Sequence, residues 1–240
     1  MKSAFTAACV LAVLLCTGAA AQRGGGPPPA PRPARQVAPF DLAGTWVSIV
    51  TEDWRWRMVT APKGDTSSVP VNDAGRQAAM RWDAAADAAA GNQCKAFGIG
   101  GTMRQPGRLR ITWQDDNTLR IDSDAGMQTR LFRFGSVPAG RAERTWQGTS
   151  VARWDARSLA VETRNMRAGY LRKNGVPYSE SATLTEYFDV APHPGGSQLL
   201  VVTAVVVDPQ YLEQPYIVST NFKKEADGSG WDPTPCSTTW

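Results

Sequence analysis

The chain is nearly devoid of histidine: His193 is the single one in 240 residues, and it lies in Ala191-Pro192-His193-Pro194-Gly195-Gly196, a run of turn formers. That scarcity argues against a histidine metal centre, a haem ligand inside the fold and a Ser-His-Asp triad. Cysteine is almost as scarce. Of four, Cys9 and Cys16 lie in the first segment, and the remaining Cys94 and Cys236 have no CxxC neighbour, so neither a zinc cluster nor a dithiol redox motif is present. No apolar run approaches the roughly 20 residues of a membrane-spanning helix. Gly-x-Ser-x-Gly, Walker-type and His-Glu-x-x-His motifs are missing. The net charge of +4 comes from arginines scattered among acids, without a basic stripe, which argues against a nucleic-acid partner. No repeat period is visible, which disfavours solenoids and propellers. Asp115-Asp116-Asn117 lacks the ligand spacing of a calcium loop and reads as a turn. No metal and no cofactor are expected.

What is present begins with a charge at Lys2, an apolar run over residues 7–15 and the small residues Ala19-Ala20-Ala21, the layout of a secretory signal peptide covering residues 1–21. This predicts a periplasmic or extracellular protein. Cys16 follows Leu14-Leu15 rather than a small residue, which argues against a lipid anchor there. Residues 22–38 are rich in proline and glycine and read as a disordered linker. Residues 39–240 are then long enough for one sizeable core. In an oxidising compartment the two remaining cysteines are expected to form a disulfide, Cys94–Cys236. Closing so long a loop restricts the unfolded chain by about 4–5 kcal/mol in the chain-entropy view.

Strand signals dominate this region. Residues 45–58 alternate, with Trp46, Val50, Trp54 and Trp56 on one side. Residues 108–113, 118–122 and 127–134 read as a three-stranded meander joined by Asp115-Asp116-Asn117 and Asp124-Ala125-Gly126. Further strands are predicted at 145–154, 158–164, 182–190, 198–207 and 216–223, and Asn174-Gly175 marks a turn. One alanine-rich helix is predicted over 76–90, capped by Asn72 or Asp73 and docked by Met80 and Trp82. Together these elements predict an all-β fold: an antiparallel up-and-down barrel of about 8–10 strands with one inserted helix.

The segment Asp41-Leu42-Ala43-Gly44-Thr45-Trp46 carries a resemblance. Gly44-x-Trp46 on a first strand resembles the signature of lipocalin-like barrels, which implies that the tryptophan closes the barrel bottom beneath a basic residue of the last strand, here Lys223 or Lys224. More of the chain is similar to a group of secreted bacterial proteins of unknown function. That similarity runs through Gln128-Thr129-Arg130-Leu131-Phe132, Trp146-Gln147-Gly148-Thr149-Ser150-Val151-Ala152-Arg153-Trp154, Leu159-Ala160-Val161-Glu162-Thr163, Thr185-Glu186-Tyr187-Phe188 and Asp208-Pro209-Gln210-Tyr211-Leu212. It implies a shared fold and transfers no catalytic residue.

Charge on otherwise apolar strand faces supplies the candidate site. Glu186 alternates with Leu184 and Phe188; Arg130 with Phe132 and Phe134; Glu162 and Arg164 share the face of Ala160; Glu52 lies among Val50, Trp54 and Trp56. Buried charges need partners, so these groups either pair structurally or form the polar floor of an aromatic-lined pocket. In a pocket, Glu186 or Glu162 would be a general acid or base, Arg130 or Arg164 an electrostatic clamp, and Tyr187 or Tyr211 a supplementary proton donor. Strand parity turns Tyr187 away from Glu186 unless a bulge intervenes. Glu52, Trp54, Trp56, Tyr187 and Tyr211 are the candidate ligand-binding residues.

Three readings remain open at this point. The first is a barrel that binds a small amphipathic or aromatic molecule in an interior pocket. The second is a metal-free enzyme on the same barrel, a lyase, isomerase or hydratase. The third is a module that binds another envelope protein. Fold class does not separate them, and the oligomeric state is left open.

Overall fold

A computed structural model describes residues 32–135 and 143–239. The expected signal peptide and residues 22–31 of the expected linker lie outside the described residues.

Nine strands close into a barrel. In chain order they are β1 Gly44–Ile49, β2 Arg108–Asp115, β3 Thr118–Ser123, β4 Gln128–Phe134, β5 Thr149–Asp155, β6 Ser158–Arg164, β7 Thr183–Pro192, β8 Gln198–Val207 and β9 Tyr216–Lys224. Each strand neighbours the next in sequence, and β1 completes the ring against β9. Every pair is antiparallel except β4 with β5. The expected up-and-down barrel of about 8–10 strands is what forms, mostly antiparallel, and parity gives the reason for the one parallel pair: directions cannot alternate around a ring with an odd number of strands.

The barrel bottom is closed by aromatic packing. Trp46 is fully buried, donates from Nε1 to the Leu42 carbonyl at 2.9 Å, and lies opposite Lys224 in the β1–β9 register. Lys224 Nζ stands 5.2 Å from the indole centroid, the tryptophan-under-lysine contact that the Gly-x-Trp resemblance implies. Phe40, Phe134 and Trp113 continue this layer through ring contacts of 5.3–5.7 Å that include Trp154. The last part of the expected linker is bound here. Ala34 is 6% exposed, donates to Asn117 and accepts from Trp154 Nε1.

Above this floor, inward side chains fill the barrel. Ile111, Leu119, Phe132, Leu159, Val161, Phe188, Leu200 and Phe222 are each at most 1% exposed. Burial of each such side chain contributes about 1.5–3 kcal/mol, so this core is the main source of stability.

The connection from β1 to β2, residues 50–107, covers the opposite end with short helices. Alternation through residues 45–58 predicted a longer first strand. β1 instead ends at Ile49, and α1 forms over Trp54–Met58. Asp53 makes the turn between them in the left-handed region, at φ 51°. The expected alanine-rich helix is two helices, α2 over Asp73–Arg81 and α3 over Ala84–Ala89. Asn72 caps α2 through Gly75 N, as expected; the break follows because Asp83 starts a new cap, accepting from Ala85 N and Ala86 N. Met80 is exposed, and the docking falls to Trp82.

A hairpin formed by Gly169–Tyr170 and Pro177–Tyr178 folds over the same end, its tip carrying Arg172, Lys173, Asn174 and Gly175. Asn174 ties the tip down by donating to the carbonyls of Pro62 and Asp65. Gly175 is required at φ 80°, where a side chain would also collide with the Trp82 indole. A Cβ at Gly98 or Gly100 would likewise strike Tyr178. Finally, Cys94 and Cys236 form the expected disulfide, which anchors the C-terminal segment after Thr234–Pro235 has paired with Ala125–Gly126.

Candidate functional site

The predicted charged residues are sorted by the barrel wall. Arg130 and Glu186 point inward from β4 and β7, are 3% and 1% exposed, and form a two-pronged ion pair. Arg130 Nη1 donates to Glu186 Oε1 at 3.1 Å, and Nη2 donates to Oε2. Close by in the ring of strands, Ser150 and Thr163 satisfy each other at 2.8 Å. The gap beside Arg130, bounded by Met103, Ile121 and Gln128, has no room for a water molecule.

Glu162 and Arg164 are not part of this group. They are exposed on the outer surface of β6, Glu162 lying 3.6 Å from Arg153. Their assignment to an inward face is corrected: Leu159, Val161 and Thr163 point inward, while Ala160 is buried on the outer face between its register neighbours Arg153 and Tyr187. Tyr187 is likewise on the outer face of β7, opposite to Glu186, as parity required. Glu52 sits at the rim, accepting from Arg57 and Asn221. Trp54 is 62% exposed on α1, whereas Trp56 lies beneath Arg172 with its ring centroid 4.6 Å from the guanidinium.

A cleft of about 310 Å³ opens at the covered end, between α2–α3 and the hairpin. Its walls include Trp82 at the end of α2, Tyr170 and Tyr178 of the hairpin, and Tyr211 from the β8–β9 connection. Its polar feature is a triad. Asp87 of α3, 7% exposed, accepts from Lys95 Nζ at 2.5 Å and from Tyr170 Oη at 2.6 Å. Lys95 also lies 5.3 Å from the Tyr170 ring centroid. It is carried by the 3₁₀ helix Gln93–Phe97, which the neighbouring disulfide holds to the C-terminal segment.

Compared with protein-family models, curated proteins and solved structures, the chain matches none.

Chemically, the triad is a fixed donor array. Burial, then the hydrogen bond to Asp87 and the carboxylate's charge, push the Tyr170 hydroxyl far above the ordinary tyrosine range. It therefore stays protonated at neutral pH and cannot act there as a general base. Lys95 remains partly exposed; it donates to Asp87 and, at 3.5 Å, to Tyr170 Oη, and its third N–H can address an acceptor in the cleft. Among the described residues there is no group of three or more His, Cys, Asp or Glu side chains placed to hold a metal ion. Tyr211 was the one ligand-binding candidate from the sequence that lines this cleft. Asp87, Lys95 and Tyr170 were missed; a lone acid in an otherwise alanine-rich helix, and a lysine beside a disulfide cysteine, were the available signals.

Proposed function

We propose that this protein binds a small aromatic or amphipathic molecule carrying an acceptor or anionic group, in the cleft at the covered end of the barrel. The observation that carries this reading is the combination of four aromatic walls with the Asp87–Lys95–Tyr170 array in a space of about 310 Å³. That volume lies at the lower end of the range for small-ligand sites, which are largely apolar with a few placed polar groups. The flat rings would cover the ligand's apolar body, and Lys95 would meet its acceptor. Arg130 and Glu186 serve in this reading as a structural pair, because the adjoining gap has no room for a reactant.

Anilinonaphthalene sulfonate, an aromatic anion, is a suitable probe. Titrated into the full chain, it should show saturable fluorescence enhancement. Trp82→Ala and Lys95→Met should each weaken binding about tenfold or more, the equivalent of about 1.4 kcal/mol, with circular dichroism unchanged. Equal affinity in the wild type and both variants would overturn the assignment to this cleft.

A further inference from the structure

The covered end of the barrel also gathers three buried guanidiniums from three separate segments: Arg57 of α1, Arg104 of the 3₁₀ helix Thr102–Arg104, and Arg172 of the hairpin tip. They are 1%, 7% and 5% exposed. Arg57 is fully engaged, donating from Nε to the Arg104 carbonyl at 3.0 Å, from Nη2 to Ser48 Oγ at 2.9 Å, and from Nη1 to Glu52. Arg104 gives Nη2 to Asp53 at 2.8 Å, while its Nη1 meets no acceptor among the described residues. Arg172 lies over Trp56 and beside the Tyr216 hydroxyl, yet among the described residues none of its three nitrogens meets an acceptor at hydrogen-bonding geometry.

Counting charges sharpens the point. Glu52 and Asp53 are each bridged to one guanidinium; among the described residues no carboxylate touches the third, Arg172, which feels Asp53 and Asp65 only from a distance. A buried lysine could relieve such a position by losing its proton, but arginine keeps its charge at any pH at which proteins function. A buried cation with no counter-charge in contact costs several kcal/mol, so an anion placed against its free N–H groups would be strongly favoured. The guanidiniums also feel one another: burial and then, among the neighbouring cations, Arg104 lower the proton affinity of Arg172.

We propose that Arg104 and Arg172, with Arg57 behind them, form a buried receptor for a small inorganic anion of halide size. The space between them, bounded also by Trp56, Gln105, Leu171 and Lys173, is about 10 Å³, the threshold for one water-sized particle, and a halide is the inorganic anion nearest that size. Tetrahedral oxyanions exceed it. The bound anion accepts from Arg104 Nη1 and from the Arg172 fork, and it locks the hairpin tip to the helices that cover the barrel. This site is distinct from the aromatic cleft and does not depend on the function assigned there.

The test is thermal unfolding of the full chain at constant ionic strength, with sodium chloride replacing sodium gluconate. The wild type should gain about 3–5 °C at ten times the dissociation constant, along a saturating curve. Arg172→Gln should abolish the gain while leaving the midpoint in gluconate equal to the wild-type value or higher. A chloride-independent midpoint in the wild type, or the same gain in Arg172→Gln, would overturn the proposal. Crystals of the wild type grown in bromide supply a readout that needs no variant: an anomalous peak within hydrogen-bonding distance of Arg104 and Arg172 supports the site, and no peak there refutes it.

Discussion

Arg130 and Glu186 meet inside the barrel from strands three apart in the ring, each terminal guanidinium nitrogen donating to a different carboxylate oxygen. Both are almost completely buried, and Arg130 Nε has no acceptor among the described residues. The pair is therefore mutually dependent: either charge alone would be stranded in an apolar interior.

Glu186→Gln is expected to destabilise the fold by about 3–5 kcal/mol, because Arg130 would remain buried and charged. The double substitution Arg130→Met with Glu186→Leu should recover most of that loss. Urea unfolding of the wild type and the two variants checks this. A double variant no more stable than Glu186→Gln would show that the pair contributes more than mutual neutralisation.

At the barrel bottom, indole burial outweighs the cation above it. Trp46→Ala should lose about 3–5 kcal/mol through the cavity it opens. Lys224→Met should lose about 1 kcal/mol or a little more, since the ammonium supplies a cation–π contact and a partly buried hydrogen bond to Gln198 Oε1. Comparable losses in denaturant unfolding would contradict that ordering.

The disulfide should hold the C-terminal segment in place and bear on global stability. Unreduced protein should show no free thiol from Cys94 or Cys236. Replacing both with serine should cost about 2–5 kcal/mol. Hydrogen exchange should accelerate first at Ala125–Gly126, where Thr234–Pro235 pairs in parallel.

Lys173 supplies a pH signature. Burial, then the charge of Arg57, push its ammonium down to about 8. The unfolded chain holds that proton up to about pH 10.4, so across this window the unfolded state binds more protons and the Lys173 contribution to stability improves as pH rises. Below about pH 8 its penalty is present in full. Tyr170 and Tyr178 act in the opposite sense: their raised values mean that their contribution is lost as pH rises past the point where unfolded tyrosines ionise. Subtracting the stability of Lys173→Met from that of the wild type isolates the lysine. The difference should become more favourable to the wild type between pH 8 and pH 10; a flat difference would show that Lys173 titrates normally.

Much of the barrel was legible locally. The meander over β2–β4, with its turn at Asp115-Asp116-Asn117, follows from period-two patterning and turn chemistry that neighbouring residues supply by themselves. The limits of β6 and β8 were legible for the same reason. Facing was harder. Alternation defines two faces of β6 but not which one is inside, and small, shielded Ala160 made its outer face resemble a core face. The break between α2 and α3 was hidden because helix propensity runs through it, while the Asp83 cap competes only once Trp82 is docked against the hairpin glycine.

The sequence by itself determined a strand-rich chain opened by Gly-x-Trp and a disulfide from its two remaining cysteines, since these depend on short patterns or on elimination; the lysine over Trp46 was what the lipocalin resemblance implied, at Lys223 or Lys224, and the register chose Lys224. Only the tertiary structure decided which charges meet. Asp87 and Tyr170 are 83 residues apart in the chain, and Arg57, Arg104 and Arg172 come from separate segments. Period and composition describe a segment and its neighbours, whereas convergence of distant side chains is set by how the segments covering the barrel fold over one another. That packing places an aromatic cleft beside a buried cluster of cations.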